Sequence, residues 1–446
     1  MKGYETFFKG KKITLMGLGV LGRGVGDAEF LSTCGAEVLV TDKKTAEELS
    51  DSIVRLKTYP NITFHLGGHD EKDFTGCDMV IKAAGVPLDS PYIASAKAVG
   101  IPVYMSTALF AKFAMEEGAT VVGVTGTRGK STVAHMIFHV LQKAGRRVHL
   151  GGNIRGKSTL ATLPEVAEGD VCVLELDSWQ LQGLGELKIS PGIAVFTNFM
   201  PDHLNYYGGD MEKYFADKAN IFRNQKAGDT LVAGKVISGR IQPALSYMIV
   251  PDPIPTEWKL KIIGEHNREN ASLATAALRA LELSESEIKS GLGSFGGVEG
   301  RLQFLREIRG VKIYNDNNAT TPEATIAALK ALDEGKKNII LILGGDEKNL
   351  DMEDLIKEIP KRCSKVVLFK ERGTERIRDA VFALEPGVQV YEEEGLKATV
   401  ERAMSIAQVG ETILYSPAFS SFGKYFKNEF DRNDQFLTLV RELNTV

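Results

Sequence analysis

The sequence predicts an α/β protein of three domains: an N-terminal Rossmann-like block, a central block built like a P-loop ATPase on a parallel sheet, and a C-terminal Rossmann-like block. Three observations carry that expectation. The chain has 446 residues, too many for one core and enough for roughly two to four domains. Apolar runs rich in Val, Ile and Leu alternate with helix-period segments along most of its length, the pattern of stacked β-α units on parallel sheets. Two glycine-rich turns, GLGVLGRG at 17–24 and TGTRGKST at 125–132, each follow such a run.

The first block, 1–113, holds strand candidates at 13–17, 37–41, 79–83 and 102–104. Gly17, Gly19 and Gly22 fit the G-x-G-x-x-G turn, and Asp42 follows twenty residues after Gly22. An acid there grips a ribose hydroxyl in dinucleotide-binding folds. Taken alone, the turn predicts a dehydrogenase holding NAD.

The second block, 114–298, opens with TVVGVTG at 120–126 and runs through VCVLELD and GIAVFTN to the helical NRENASLATAALRALEL at 267–283. The stretch SGLGSFGGVEG, 290–300, reads as a hinge. The third block, 299–446, runs from VKIYND through NIILILGG, KVVLFK, VQVY and TILYSPA to an amphipathic closing helix.

Bulk properties exclude several classes. Hydrophobic residues make up 43% and charged residues 25%, as in ordinary globular proteins. A net charge of −4, from 58 acids and 54 bases, argues against a nucleic-acid or membrane-surface binder. No apolar stretch approaches the roughly 18–20 residues that span a bilayer. The opening MKGYETFFKGKK lacks the apolar region of a signal peptide, so export is not expected. Cys34, Cys77, Cys172 and Cys363 are scattered, and read as buried thiols in a reducing cytoplasm. Nothing in the sequence demands more than a monomer.

The chemistry concentrates in Thr125-Gly126-Thr127-Arg128-Gly129-Lys130-Ser131-Thr132, between a β-branched strand and a helix. Glycines there let backbone N–H groups turn toward phosphate, and the helix N-terminus adds its positive end. Lys130 is placed to reach the β- and γ-phosphates of ATP and Ser131 to ligate Mg²⁺. The first glycine of the general motif is replaced by Val124. Glu175 ends the next apolar strand, and His203 and then Lys218 follow the one after. Ligands gather at such carboxyl edges. His135 and His139 lie one helical turn apart with no H-E-x-x-H glutamate, so they read as helix-face histidines.

With these residues in view, the chain resembles the Mur ligases, the ATP-dependent enzymes that build the peptidoglycan stem peptide. The motifs run in the family's order: TGTRGKST, GGNI, LELDSWQL, PDHLNYY, DKANIF, GEHNREN, GRLQF, YNDNNATTP, LGGD and SPAFSSFGKYFKNEFDRND. Within the family they sit closest to the members that add D-glutamate. The resemblance implies ATP, two Mg²⁺ ions, UDP-N-acetylmuramoyl-L-alanine and D-glutamate as ligands. It implies that Gly126, Thr127, Gly129, Lys130, Ser131 and Thr132 hold the ATP phosphates and that Asn267 and Asn270 face the adenine. Arg301, Asp316 and Thr320 would close over the nucleotide. Ser131, Glu175, His203 and Lys218 would bind metal, Lys218 as a carbamate formed with CO₂.

Gly19, Val20 and Leu21 would carry the UDP end of the substrate, with Asp42 and Lys43 at uridine, Gly85 lining the cleft, and Asn153 and His203 on the muramoyl side. Asn318, Lys348, Ser421 and Phe430 would hold the amino acid. The chain departs from the family at three places: Gly300 precedes Arg301 where a His is common, Asn318 replaces a lysine, and Asp177 replaces a small hydroxyl residue. The tail motif is also one residue longer than usual.

Rival readings explain less. An NAD oxidoreductase leaves the phosphate loop and the metal constellation without a role. A nonenzymatic nucleotide switch does not need Glu175, His203 and Lys218 together. A diamino-acid ligase would show a D-N-P-R-like motif, which is absent, and a folylpolyglutamate-type enzyme would lack the N-terminal block.

Overall fold

A computed structural model describes residues 2–19, 22–421 and 423–443. It divides into two compact units, Met1–Trp258 with Glu269–Gly293, and Lys259–Arg268 with Ser294–Val446.

The first unit carries two sheets. One contains β1 (Lys12–Met16), β2 (Glu37–Asp42), β3 (Ile62–Leu66), β4 (Met79–Lys82) and β5 (Val103–Tyr104), in the order β3-β2-β1-β4-β5, all parallel. The sequence reading located four of these strands and passed over β3. That strand lies at the edge and only Ile62 is buried, so its Thr63 and His65 break the apolar run expected of a strand covered on both faces.

The second sheet contains β6 (Thr120–Thr125), β7 (Val148–Gly152), β8 (Val171–Glu175), β9 (Ile193–Phe196), β10 (Thr230–Ala233) and β11 (Tyr247–Ile249). Its order is β11-β10-β9-β6-β8-β7, again parallel throughout. After β6 the chain first builds toward β7 and β8, then returns to place β9 on the other side. The carboxyl end of β6 is therefore a topological switch point, where open α/β sheets leave a crevice. The helix Ser106–Glu116 joins the two sheets, and one apolar core runs from Tyr4 and Phe30 through Leu109 to Cys172 and Phe196.

The second unit holds β12 (Gln303–Ile308), β13 (Val311–Asn315), β14 (Ile339–Leu343), β15 (Cys363–Phe369), β16 (Gln389–Glu393) and β17 (Thr412–Tyr415), in the order β12-β13-β17-β14-β15-β16. Only β12 is antiparallel, paired with β13. All five residues of β14 are buried.

The stretch read as a hinge begins inside the helix Glu285–Ser294. Gly291 packs there against Val140, where an added Cβ would come within 2.7 Å of a Val140 methyl. Its glycine thus serves close helix packing. The chain also passes between units at 258–259 and 268–269. Among the described residues, no helix is long and apolar enough to cross a membrane.

Candidate active site

The phosphate loop is shaped by its glycines and tied down by the segment after β9. Gly126 has φ +143°, and a Cβ on it would fall 1.9 Å from Thr197 Oγ1. Gly129 adopts φ +82° at the head of the helix Lys130–Lys143, a left-handed position that favours glycine. The Thr127 amide donates to Asn198 O at 2.9 Å, and the Arg128 amide donates to Asn198 Oδ1 at 2.9 Å. The Thr127 hydroxyl donates to Met200 O at 3.2 Å and accepts from the Met200 amide at 3.0 Å. These bonds fix the shape of the loop, with a helix N-terminus behind it. Lys130 folds back, its Nζ donating to Thr127 O at 3.0 Å. Asn270 comes up to the same loop: a Cβ on Gly129 would meet its Oδ1 at 2.4 Å. His135 Nδ1 pairs with Ser131 O at 2.8 Å, which gives that histidine a role inside the helix.

Glu175 ends β8 beside Val124 of β6 and Gly152 of β7, and is buried. The Asn153 amide donates to Glu175 O at 2.7 Å, so strand register alone sets Asn153 next to Glu175. Lys218 is 1% exposed. Its Nζ donates to Gly126 O at 2.8 Å, lies 3.5 Å from Thr125 Oγ1 and sits 4.9 Å from the Tyr214 ring centre. Burial, and after it the Lys130 charge, holds the Lys218 pKa well below the usual lysine range, which favours the neutral amine.

His203 has φ +53°, a strained conformation for a residue with a side chain and a common mark of functional positions. Its ring lies 5.1 Å from Trp179 and 6.0 Å from Tyr214. Burial pushes its pKa down, toward the neutral form that binds metal. Asp177, a departure noted in the sequence, caps the helix Ser178–Glu186: it accepts from the Gln180 amide at 2.7 Å, and Gln180 Oε1 accepts from the Asp177 amide at 3.2 Å. That reciprocal pair is a capping box.

At the first glycine turn, the Asp42 carboxylate accepts from the Leu18 and Gly19 amides at 2.8 and 3.1 Å through one oxygen, and from the Lys44 amide at 3.0 Å through the other. The Asp42 carboxylate thus also shapes the turn, and it engages the amide of Gly19, one of the residues that the resemblance gives to the UDP end of the substrate. Val20 and Leu21 lie outside the described residues. Lys43 is exposed, and a Cβ at Gly85 would meet open space. Sequence reasoning missed Lys82, which is buried at the end of β4. Its Nζ donates to Val86 O at 2.7 Å and so braces the loop that carries Gly85. Burial lowers its pKa to about 8.

The second unit assembles its own set. Asn267 belongs here, its Nδ2 donating to Ile263 O at 2.7 Å. Asp316 accepts from the Leu302 amide and the Ser416 hydroxyl, each at 2.9 Å. Burial raises its pKa to about 7, against the opposing pull of those bonds and of Arg301. Lys348 Nζ reaches Thr320 O at 3.4 Å. Asn318 donates to Glu299 O at 3.3 Å and accepts from Asn317 Nδ2 at 3.1 Å. A Cβ on Gly300, which has φ +71°, would sit 3.1 Å from Asn318 Nδ2. Two departures noted separately in the sequence are therefore neighbours. Ser421 is buried, and the Phe430 amide donates to Asn428 Oδ1 at 3.0 Å in the cap of the helix Glu429–Glu442.

Sequence reasoning also missed the wholly buried Arg432. Its Nε and Nη2 donate to Asn317 Oδ1 and O at 2.9 and 2.8 Å, and its Nη1 to Phe419 O at 3.2 Å. It thereby joins the loops after β13 and β17. The one available signal was its place in the tail motif KNEFDR.

Comparison with known proteins finds relatives over nearly the whole chain. The Mur ligase MurD-like N-terminal domain matches residues 11–105, the Mur ligase middle domain 124–237, and the Mur ligase glutamate ligase domain 300–419. The UDP-N-acetylmuramoylalanine–D-glutamate ligase of Roseiflexus sp. (strain RS-1) is 35% identical over 97% of this chain and 98% of its own. The protein of the same name from Alkaliphilus metalliredigens is 34% identical over 98% and 99%. Among solved structures, the UDP-N-acetylmuramate-alanine ligase of Thermotoga maritima shares the fold with a TM-score of 0.64 at 19% identity, over 97% of this chain and 100% of that one. The chain belongs to the Mur ligase family.

Proposed function

We propose that this chain is an ATP-dependent ligase that joins D-glutamate to UDP-N-acetylmuramoyl-L-alanine, releasing ADP and phosphate, in the synthesis of peptidoglycan precursor. The single observation that carries the reading is the meeting of Lys218, Gly126 and the phosphate loop at the carboxyl end of β6, with Glu175 on the neighbouring strand. The near full-length similarity to D-glutamate ligases supports the choice of substrates.

In this reading the loop amides and Lys130 hold the triphosphate, Lys130 exchanging its bond to Thr127 O for phosphate oxygens. Asn270 serves the adenine side with Asn267. An oxygen of the alanyl carboxylate attacks the γ-phosphorus and ADP leaves. The amine of D-glutamate then attacks the acyl carbon, loses a proton, and phosphate departs with the transferred oxygen. Excluding water matters, because an exposed acyl phosphate is lost to hydrolysis.

Among the described residues, no three His, Cys, Asp or Glu side chains stand ready as a metal cage. Mg²⁺ usually takes one or two protein carboxylates together with waters and substrate phosphates, so the sparse set of Ser131, Glu175 and His203 fits it. An ammonium at Lys218 does not. The neutral amine can add CO₂, forming an N–C bond and releasing a proton, and the resulting carbamate supplies an anionic oxygen ligand. Mg²⁺, when bound, offsets the negative charge of the phosphoryl oxygens. The family resemblance assigns Arg301, Asp316 and Thr320 to the nucleotide as well. Asn318, Lys348, Ser421 and Phe430 receive the amino acid, and Gly19, Asp42, Lys43, Gly85 and Asn153 receive the UDP-sugar. The protein works as a cytoplasmic monomer.

The test is phosphate release with ATP, Mg²⁺ and UDP-N-acetylmuramoyl-L-alanine against D-glutamate, L-glutamate, D-aspartate and meso-diaminopimelate. D-glutamate should give the highest kcat/KM. Preference for another acid refutes the assignment of the amino acid.

A further inference from the structure

We infer that Asp27 is a positioning residue that, with Arg23 and Gly26 on the same helix face, locks the Asn153 loop of the central sheet to the glycine turn of the N-terminal sheet. The two parts of the nucleotide-sugar site are then held as one piece. The inference rests on the proposed substrate, for which Asn153 and the glycine turn are the binding elements.

The helix Arg23–Thr33 leaves the turn at Gly22. Its residues 23, 26 and 27, spaced to share one face, all meet the segment 154–158. Arg23 Nε donates to Ile154 O at 2.9 Å. A Cβ on Gly22 would lie 3.5 Å from Gly156 O, and one on Gly26 would strike the Ser158 Cβ at 2.7 Å. The Ser158 hydroxyl donates to Asp27 Oδ1 at 2.5 Å and accepts from the Ala161 amide at 3.0 Å. The loop is closed at its base by the Gly152 amide donating to Thr159 Oγ1 at 2.7 Å. On its far side, the Asn153 amide donates to Glu175 O.

Arg23 and Asp27, on the helix that leaves the glycine turn, are thus bonded to the 154–158 segment, and Asn153 at the base of that segment is bonded to Glu175. Arg155, Gly156 and Lys157 form the segment's exposed tip, between buried anchors. Burying the Asp27 carboxylate is costly unless its bonds do specific work. Here its bond joins the helix Arg23–Thr33 to the 154–158 segment.

The experiment compares wild type with Asp27→Asn, Asp27→Ala and Ser158→Ala. It measures calorimetric affinity for UDP-N-acetylmuramoyl-L-alanine and for ATP, tryptic cleavage after Arg155 and Lys157, and ligation. Asp27→Ala is expected to weaken the nucleotide-sugar about 10- to 50-fold, the scale of one or two lost buried hydrogen bonds. ATP affinity should stay within about twofold, and cleavage at the tip should speed up. Asp27→Asn, which keeps an acceptor for the Ser158 hydroxyl, should stay within about threefold of wild type. Should Asp27→Ala fail to fold, Ser158→Ala decides, with about a 3- to 10-fold loss.

Unchanged nucleotide-sugar affinity, or an equal loss for ATP, overturns the lock whatever happens to the melting temperature. Wild-type binding of the nucleotide-sugar without ligation sinks the ligase reading and leaves the lock standing. Normal ligation with unaltered affinity in every variant sinks the lock alone.

Discussion

Replacing Lys218 by alanine should lower kcat by about a thousandfold or more, the scale set by removing a charge-stabilising group from a transition state. The side chain is 1% exposed and donates to Gly126 O at 2.8 Å, so its removal leaves a buried space beside the phosphate loop. If its role were only to brace the phosphate loop, the loss would appear mainly as weaker ATP binding. In the proposed carbamate form it would supply an anion, and an added short-chain carboxylate that enters the vacated space should then restore part of the rate. Lys218→Arg should be as inactive as the alanine variant and should not be rescued, because a guanidinium stays charged and adds no CO₂. Steady-state kcat with and without acetate decides the matter. Full activity in the unrescued alanine variant removes this lysine from the site.

Lys130→Met carries the second large effect, an expected loss of about 10³- to 10⁵-fold in kcat, as for other cations that stabilise phosphoryl transfer. The loop itself should survive, since its shape depends on Gly126, Gly129 and the bonds to Asn198 and Met200 rather than on the Lys130 ammonium. Affinity for the UDP-sugar should be unchanged. Single-turnover kinetics at saturating ATP make the measurement. A rate within tenfold of wild type would mean that Lys130 does not touch the transferred phosphoryl group.

How much of this was legible in the sequence depended on whether the chemistry was local. The phosphate loop packs its glycines, lysine and hydroxyl into one contiguous turn, because backbone amides must converge on a single anion. Such a site can be read from eight letters. Glu175 and Lys218 were placed by a weaker rule, that ligands collect where parallel strands end. The contact from Lys218 to Gly126 depends on the order β9-β6-β8, which no local pattern states. Asp42 was seen, and its bonds to the Leu18 and Gly19 amides were not, because spacing locates an acid without saying which way it faces.

Asp27 and Arg432 were invisible for a further reason. Each is a charged residue on a helix, and helix periodicity assigns such residues to the solvent face. Their burial follows from a partner element elsewhere in the chain, the 154–158 segment for Asp27 and the Asn317 loop for Arg432. Gly300 and Asn318 make the same point: read as independent departures from a family pattern, they prove to occupy one space.

In the proposed reaction the γ-phosphoryl group of ATP passes to the alanyl carboxylate of the UDP-sugar before the amide bond forms. This step is tested most directly with UDP-N-acetylmuramoyl-L-alanine labelled with oxygen-18 in that carboxylate, turned over with ATP, Mg²⁺ and D-glutamate, and the released phosphate weighed by mass spectrometry. Each phosphate should carry a single labelled oxygen. Unlabelled phosphate, released in step with the ligated product, would contradict it.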